Sequence, residues 1–172
     1  MLVDVLGPGL RVLLVAINPA VSSAEAGQHF ATPRNPFWRL LHESGLTPRQ
    51  LAPAEAPLLL ACGLGLTSLV ARPTGAAAQL RRSELRAGAA DLVMTVRRVR
   101  PRVVALLGLT LFPVIFPGVK EPGPGLKEIT FGGSAVFVLP NPSGRNRAYP
   151  GFAPKLKWYR ALAEVLASPA QR

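Results

Sequence analysis

The 172 residues suit one domain, and 49% hydrophobic against 17% charged residues excludes disorder as the default state. Twenty Lys and Arg stand against nine Asp and Glu, and a net charge of +11 implies a polyanionic partner, nucleic acid first and an acidic membrane surface second. One cysteine, Cys62, excludes a structural disulfide, a four-thiolate zinc site and an iron–sulfur cluster.

Sixteen of the basic residues are Arg, and such an Arg-, Ala-, Pro- and Leu-rich composition also arises from genome base bias. With only His29 and His42, an all-histidine metal site is not expected, and Cys62 reads as a small buried apolar residue. The longest uncharged run, residues 103–119, is interrupted by Pro113 and Pro117, too broken for a membrane span. Asp4 and the Gly7-Pro8-Gly9 turn break any signal-peptide core. The expectation is a soluble cytoplasmic protein folded as a single domain over residues 1–172.

Residues 10–17 (LRVLLVAI) form an apolar run stopped by Asn18-Pro19, which predicts a buried strand. Residues 20–34 read as a loop. Asn35 then offers an N-cap and Pro36 the first helical position, with Phe37, Trp38, Leu40 and Leu41 on the apolar face and Gly45 as the stop. A second apolar stretch covers 58–66, and Arg72-Pro73-Thr74-Gly75 marks the loop after it. Residues 83–100 read as a helix with Leu85, Ala89, Leu92, Val93, Val96 and Val99 on one side, ended by Pro101.

Residues 102–107 (RVVALL) predict a third buried strand, followed from Gly108 by a short helix ending near Pro117. Residues 127–139 read as a hairpin about Gly132-Gly133, whose second arm runs into Pro140-Asn141-Pro142-Ser143-Gly144. A last helix near 154–167 buries Leu156, Tyr159, Leu162 and Leu166. Strands alternating with helices imply a three-layer α/β/α sandwich about a central, mainly parallel sheet. In such sheets ligands bind outside the carboxyl ends of the strands, which makes the loops at 16–20 and 141–147 the candidate site.

No phosphate loop, dinucleotide turn, nucleophile elbow or His/Cys metal cluster is present. Ser22 and Ser23 lack an evident base partner. What remains suits chemistry on a flat, uncharged ring. Phe30 could stack on a base, Asn18 could hold a water or an amide edge, and Ser143-Gly144-Arg145 could approach a phosphate backbone. An enzyme acting on a base within a duplex must extract it into such a pocket. Each feature also has a plainer reading: Asn18-Pro19 as a strand-ending turn, Phe30 as a core aromatic, and the run Arg97, Arg98, Arg100, Arg102 as a solvated face rather than a DNA contact. His29 reads as a loop residue, with a base-edge contact the sharper alternative, and Asp91 as solvated surface rather than a catalytic carboxylate.

AINPA at 16–20, SSAEAGQHFA at 22–31, NPFWRLL at 35–41 and NPSGRNR at 141–147 resemble the mismatch-specific uracil-DNA glycosylases, relatives of thymine-DNA glycosylase. Lesser echoes are LTSLVARPT at 66–74 and ELRAG at 84–88. The resemblance implies that Asn18 positions the water attacking the sugar C1′, that Ile17 and Phe30 wall and stack the flipped base, and that the backbone near Ala20 and Ser23 reads its polar edge. It puts Asn141 near the base oxygen that gains charge. Gly144, Arg145 and Asn146 would occupy the wedge that enters the duplex and contacts the opposite guanine, with Arg147 on the DNA backbone and Ser143 among the DNA-binding residues.

Ala16 and Ala20 stand where the family pattern has glycine, Ser68 where relatives often carry a basic residue, and Arg145 where bacterial relatives frequently have Leu. The resemblance implies hydrolysis of uracil, and further of thymine or modified cytosine, from G·U and G·T mismatches in double-stranded DNA. The enzyme would be monomeric and nucleoid-associated, use no cofactor and no metal, and leave an abasic site. The competing readings are a broader-specificity uracil-DNA glycosylase of another family and a non-catalytic basic DNA-binding module.

Overall fold

Five strands and five α-helices follow one another in the computed structural model, in which residues 1–169 are described. The strands are Val12–Ala16 (β1), Leu64–Ser68 (β2), Val103–Leu107 (β3), Gly125–Phe131 (β4) and Ser134–Leu139 (β5), in the sheet order β2-β1-β3-β5-β4. Four of them run parallel. Only β4, the first arm of the hairpin, is antiparallel to its neighbour β5.

Period-two alternation splits the apolar strands between two faces. Val12, Leu14, Leu64, Leu66, Val103, Ala105, Phe137 and Leu139 pack beneath the helices Phe37–Glu43 (α2) and Ala153–Ala167 (α5). Leu13, Val15, Val104, Leu106, Val136 and Val138 pack on the other side, beneath Arg82–Val99 (α3) and Leu111–Ile115 (α4). Each fully buried Leu, Val or Phe contributes about 1.5–3 kcal/mol of apolar burial, so both layers are strongly held. The result is the three-layer α/β/α sandwich expected from the alternation.

Some elements differ from the expectation. The predicted loop at 20–34 contains a short helix, Val21–Ala26 (α1), closed by Gly27 in the left-handed region. Its six residues are too few to show an apolar period, and its small side chains bury only Ser23. Pro36 takes the N-cap position of α2 rather than the first helical one, and the Asn35 Oδ1 accepts the Phe37 N–H at 3.0 Å. The apolar stretch at 58–66 divides between a 3₁₀ segment, Pro53–Cys62, and β2. Cys62 itself is half-buried rather than buried. On α3 only Leu92 and Val96 of the expected apolar side chains are fully buried; the other four are partly so.

Two features seat the site edge. Gly88 on α3 lies so close to the strand exit that a Cβ there would meet the Leu69 carbonyl oxygen at 2.2 Å. Only glycine allows that approach. Leu69 and Val70 in turn donate their N–H groups to the Ala16 and Ile17 carbonyls, binding the exit of β2 to the exit of β1.

Candidate active site

Register places the two motifs. Val15, Leu106 and Val138 lie in one row across β1, β3 and β5. Asn18 and Asn141 each follow three residues beyond that row, at the carboxyl edge and two strand spacings apart, about 10 Å. Between them β3 ends at Gly108, where a Cβ would stand 3.7 Å from the Asn141 Cβ and Nδ2. The strand between the two amides thus finishes without a side chain.

The two amides are pinned in opposite senses. The Asn18 Nδ2 donates to the Arg72 carbonyl at 3.0 Å and to the Thr74 Oγ1 at 2.7 Å. A carbonyl can only accept, so the amide nitrogen must face the 72–74 loop and Oδ1 the other way. In Asn141 the oxygen is the tied atom: Oδ1 accepts the Ser143 N–H at 2.8 Å. Its Nδ2, beside Gly108, donates to no protein acceptor among the described residues. One site edge therefore presents a free amide acceptor and a free amide donor.

Ser23 holds the aromatic segment. Its carbonyl accepts the Gln28 N–H at 3.1 Å and its Oγ the Ala31 N–H at 3.2 Å, bracketing Phe30. Phe30 sits at φ 49°, a left-handed conformation that costs a bulky residue about 1–3 kcal/mol and persists only where its surroundings enforce it. Its ring stacks on Phe37 at 4.0 Å between centroids and 25° between planes, yet the residue stays half-exposed. Phe30 is thus attached to the core without being swallowed by it. Ile17 is half-buried against the α3 side of the core. Ala20 is the N-cap of α1 and brings no side-chain oxygen, so no side chain caps the first-turn N–H groups.

The second motif is a self-wired loop. Asn146 donates from Nδ2 to the Asn141 carbonyl and accepts the Ala148 and Tyr149 N–H groups at Oδ1. The Ser143 Oγ accepts the Arg145 N–H, and the Ser143 carbonyl the Asn146 N–H. Gly144, Arg145 and Arg147 are exposed, and neither arginine forms a salt bridge among the described residues. This loop and the exit of β3 line a cavity of about 330 Å³, with Asn141, Thr110 and Tyr149 in its wall. A larger cavity, about 480 Å³, lies between the N-terminal segment and the 3₁₀ segment and touches neither asparagine. Register and hydrogen bonding, not volume, locate the site.

Other candidates fall away from it. The His29 Nε2 meets the Val3 carbonyl at 2.7 Å in a buried position, which removes it from any base edge. Arg97, Arg98, Arg100 and Arg102 lie between the end of α3 and the start of β3, at the amino edge of the sheet and opposite the site. Arg102 donates to the Val165 and Leu166 carbonyls and so caps α5. Asp91 is exposed on α3. Sequence reading passed over Thr74, Arg72 and Glu84. Arg72 donates to both Glu84 carboxylate oxygens, at 2.7 and 2.9 Å, and that carboxyl, held also by the Arg81 N–H, is pulled down to about 2. The signals for them were a polar, proline-containing stretch after β2 and the lesser family echoes at 66–74 and 84–88, which assigned them no role. Among the described residues no group of three His, Cys, Asp or Glu side chains comes together, and no helix is long and apolar enough to cross a membrane.

A mainly parallel α/β/α sandwich thus carries two neutral amides at its carboxyl edge, with exposed arginines beside the second. The chain matches the Uracil DNA glycosylase superfamily over residues 3–163 and belongs to it. Membership implies a DNA N-glycosylase that acts on uracil, with DNA as its substrate.

Proposed function

We propose that the chain is a mismatch-specific, monofunctional uracil-DNA glycosylase, akin to the thymine-DNA glycosylases. The reading rests on the opposed pinning of Asn18 and Asn141. With Nδ2 occupied, the Asn18 Oδ1 accepts a hydrogen bond from water and aims that water's lone pair at the sugar C1′. With Oδ1 occupied, the Asn141 Nδ2 donates to the base oxygen that gains charge.

The bond from C1′ to the base nitrogen breaks with the electron pair leaving on the base, through an oxocarbenium-like sugar. Water oxygen then bonds to C1′, and its proton passes to solvent or to the departing base. Amides do not deprotonate water at neutral pH, so Asn18 orients rather than activates, and the enzyme is slow beside glycosylases equipped with a carboxylate. Phe30 and Ile17 flank the flipped base, and the uncapped N–H groups after Ala20, with the backbone at Ser23, meet its polar edge. Arg145 fills the vacated stack, and Ser143, Gly144 and Asn146 shape the loop that carries it. Arg147 grips phosphate. No lysine stands in either motif, so the product is an abasic site rather than a cleaved strand.

The test is single-turnover release of uracil from G·U, A·U and G·T duplexes and from single strands, in EDTA. The expected result is release fastest from G·U, with strand cleavage only after alkali. DNA binding without release would establish the non-catalytic reading. Equal rates opposite G and A would establish broader specificity, and β-elimination before alkali would overturn the monofunctional assignment.

A further inference from the structure

The orientation of Asn18 is imposed by a second loop, and that loop has its own anchor. Thr74 is buried, and its hydroxyl donates to the Ala76 carbonyl at 2.9 Å, which turns an oxygen lone pair toward the Asn18 Nδ2. The Thr74 N–H donates to the Pro19 carbonyl, and Ala20 bridges Thr74, so both backbones are held together around the amide. Arg72 supplies the other acceptor through its carbonyl. Its guanidinium is fixed outside the site by both oxygens of Glu84 and by the Gln79 carbonyl at 3.2 Å.

We propose that Thr74 is a positioning residue for Asn18, and that the Arg72–Glu84 pair holds the loop on which it acts. The inference rests on the reading of Asn18 as the water-orienting group. Two acceptors on Nδ2 do two things. They forbid the flipped amide, which would offer a donor where water must donate, and they polarise the amide so that Oδ1 carries more negative charge. Without them the side chain samples both orientations, and the water loses its fixed line of approach. Neither Thr74 nor Glu84 has a further part in the reaction.

The experiment compares Thr74→Val, which keeps the shape and removes the hydroxyl, with Thr74→Ser, which keeps the hydroxyl. Each is measured as single-turnover rate at saturating enzyme on a G·U duplex, beside the Kd for a duplex carrying a non-hydrolysable uridine analogue. Thr74→Val is expected to lose about 10-fold or more in rate with Kd within about two-fold, and Thr74→Ser to recover most of the rate. In an Asn18→Ala background, Thr74→Val should cost nothing further, because its effect passes through Asn18. Glu84→Gln, a change at a half-buried surface position that does not depend on Thr74 folding correctly, is expected to slow the step about two- to five-fold and to be masked in the same background.

If Asn18→Ala is slow while Thr74→Val and Glu84→Gln keep the wild-type rate, the positioning role is overturned and the Asn18 assignment stands. Additive losses in the double variants overturn it as well. If Asn18→Ala itself keeps the wild-type rate, the reading beneath fails, and the inference with it.

Discussion

Residues 16–20 are tied to chain more than fifty positions away, whereas residues 141–149 are tied to themselves. In the first loop the Ala16, Ile17 and Pro19 carbonyls accept N–H groups from Leu69, Val70 and Thr74, and Asn18 reaches Arg72 and Thr74. In the second, the side-chain bonds of Asn141, Ser143 and Asn146 all close within five residues. Long-range bonds lock an atom relative to the sheet. Local bonds keep a loop's shape but leave its seating to what docks on it. Under the proposed mechanism the difference matches two tasks: one loop holds a water within a fraction of an ångström, and the other enters a deformable duplex.

The largest effect separating these tasks belongs to Asn18→Ala. It should lower the single-turnover rate on G·U by about 100-fold or more while duplex affinity changes little. A parallel loss in affinity would show that the first loop binds rather than catalyses.

Arg145→Ala comes next and probes the second loop from the other side. Extracting a base costs a few kcal/mol, and a planar guanidinium can stack in the gap while its donors face the orphaned guanine. Excision from duplex should fall about 10-fold, excision from single-stranded uracil-DNA much less, and the preference for guanine opposite should weaken. Equal losses on both substrates would sink the wedge assignment.

A smaller effect is expected at Asn146, the hub of the self-wired loop. Asn146→Ala removes one donated and two accepted bonds from a surface loop. Kd for the duplex should rise about three- to ten-fold, with the melting temperature of the free protein nearly unchanged. A large drop in melting temperature would mean that this loop, like the first, is part of the rigid frame.

The same contrast explains what could be read before any coordinates. The strand run 10–17, the Asn-Pro stops, the hairpin about Gly132-Gly133 and the apolar face of α5 are local patterns, and all appear where their periodicity puts them. So does the second motif, because its bonds span few residues. The Asn18 partners were not legible. A bond from residue 18 to residue 74 leaves no periodic trace, and Thr74 looks like any loop threonine until β2 is laid beside β1. The cluster at 97–102 was legible as a solvated face, but its place in the fold was not. Charge density was visible, but only the parallel crossover from β2 through α3 to β3 puts that cluster at the far edge.

The smallest effect predicted is none at all, and it tests the chemistry assigned to the first loop. Asn18, Thr74 and Asn141 are neutral groups that do not titrate between pH 5 and 9. The ionisable pair behind them is Arg72–Glu84. Its carboxyl is held at about 2 against an ordinary 4.5, chiefly by hydrogen bonding to the Arg72 guanidinium. A depressed folded value means that the stabilisation is complete above the ordinary value and is lost only as pH falls through about 2. The clamp on Asn18 is therefore intact across the whole assay range. Single-turnover rates at saturating enzyme should be flat from pH 5 to 9, a profile that an enzyme whose general base titrates within that range cannot give. An acidic limb, with the rate rising through one ionisation between pH 4 and 7, would mean that a titrating base takes the water's proton. Asp91→Asn would then be the variant to examine, and the difference between the loops would lie in acid–base chemistry rather than in anchoring.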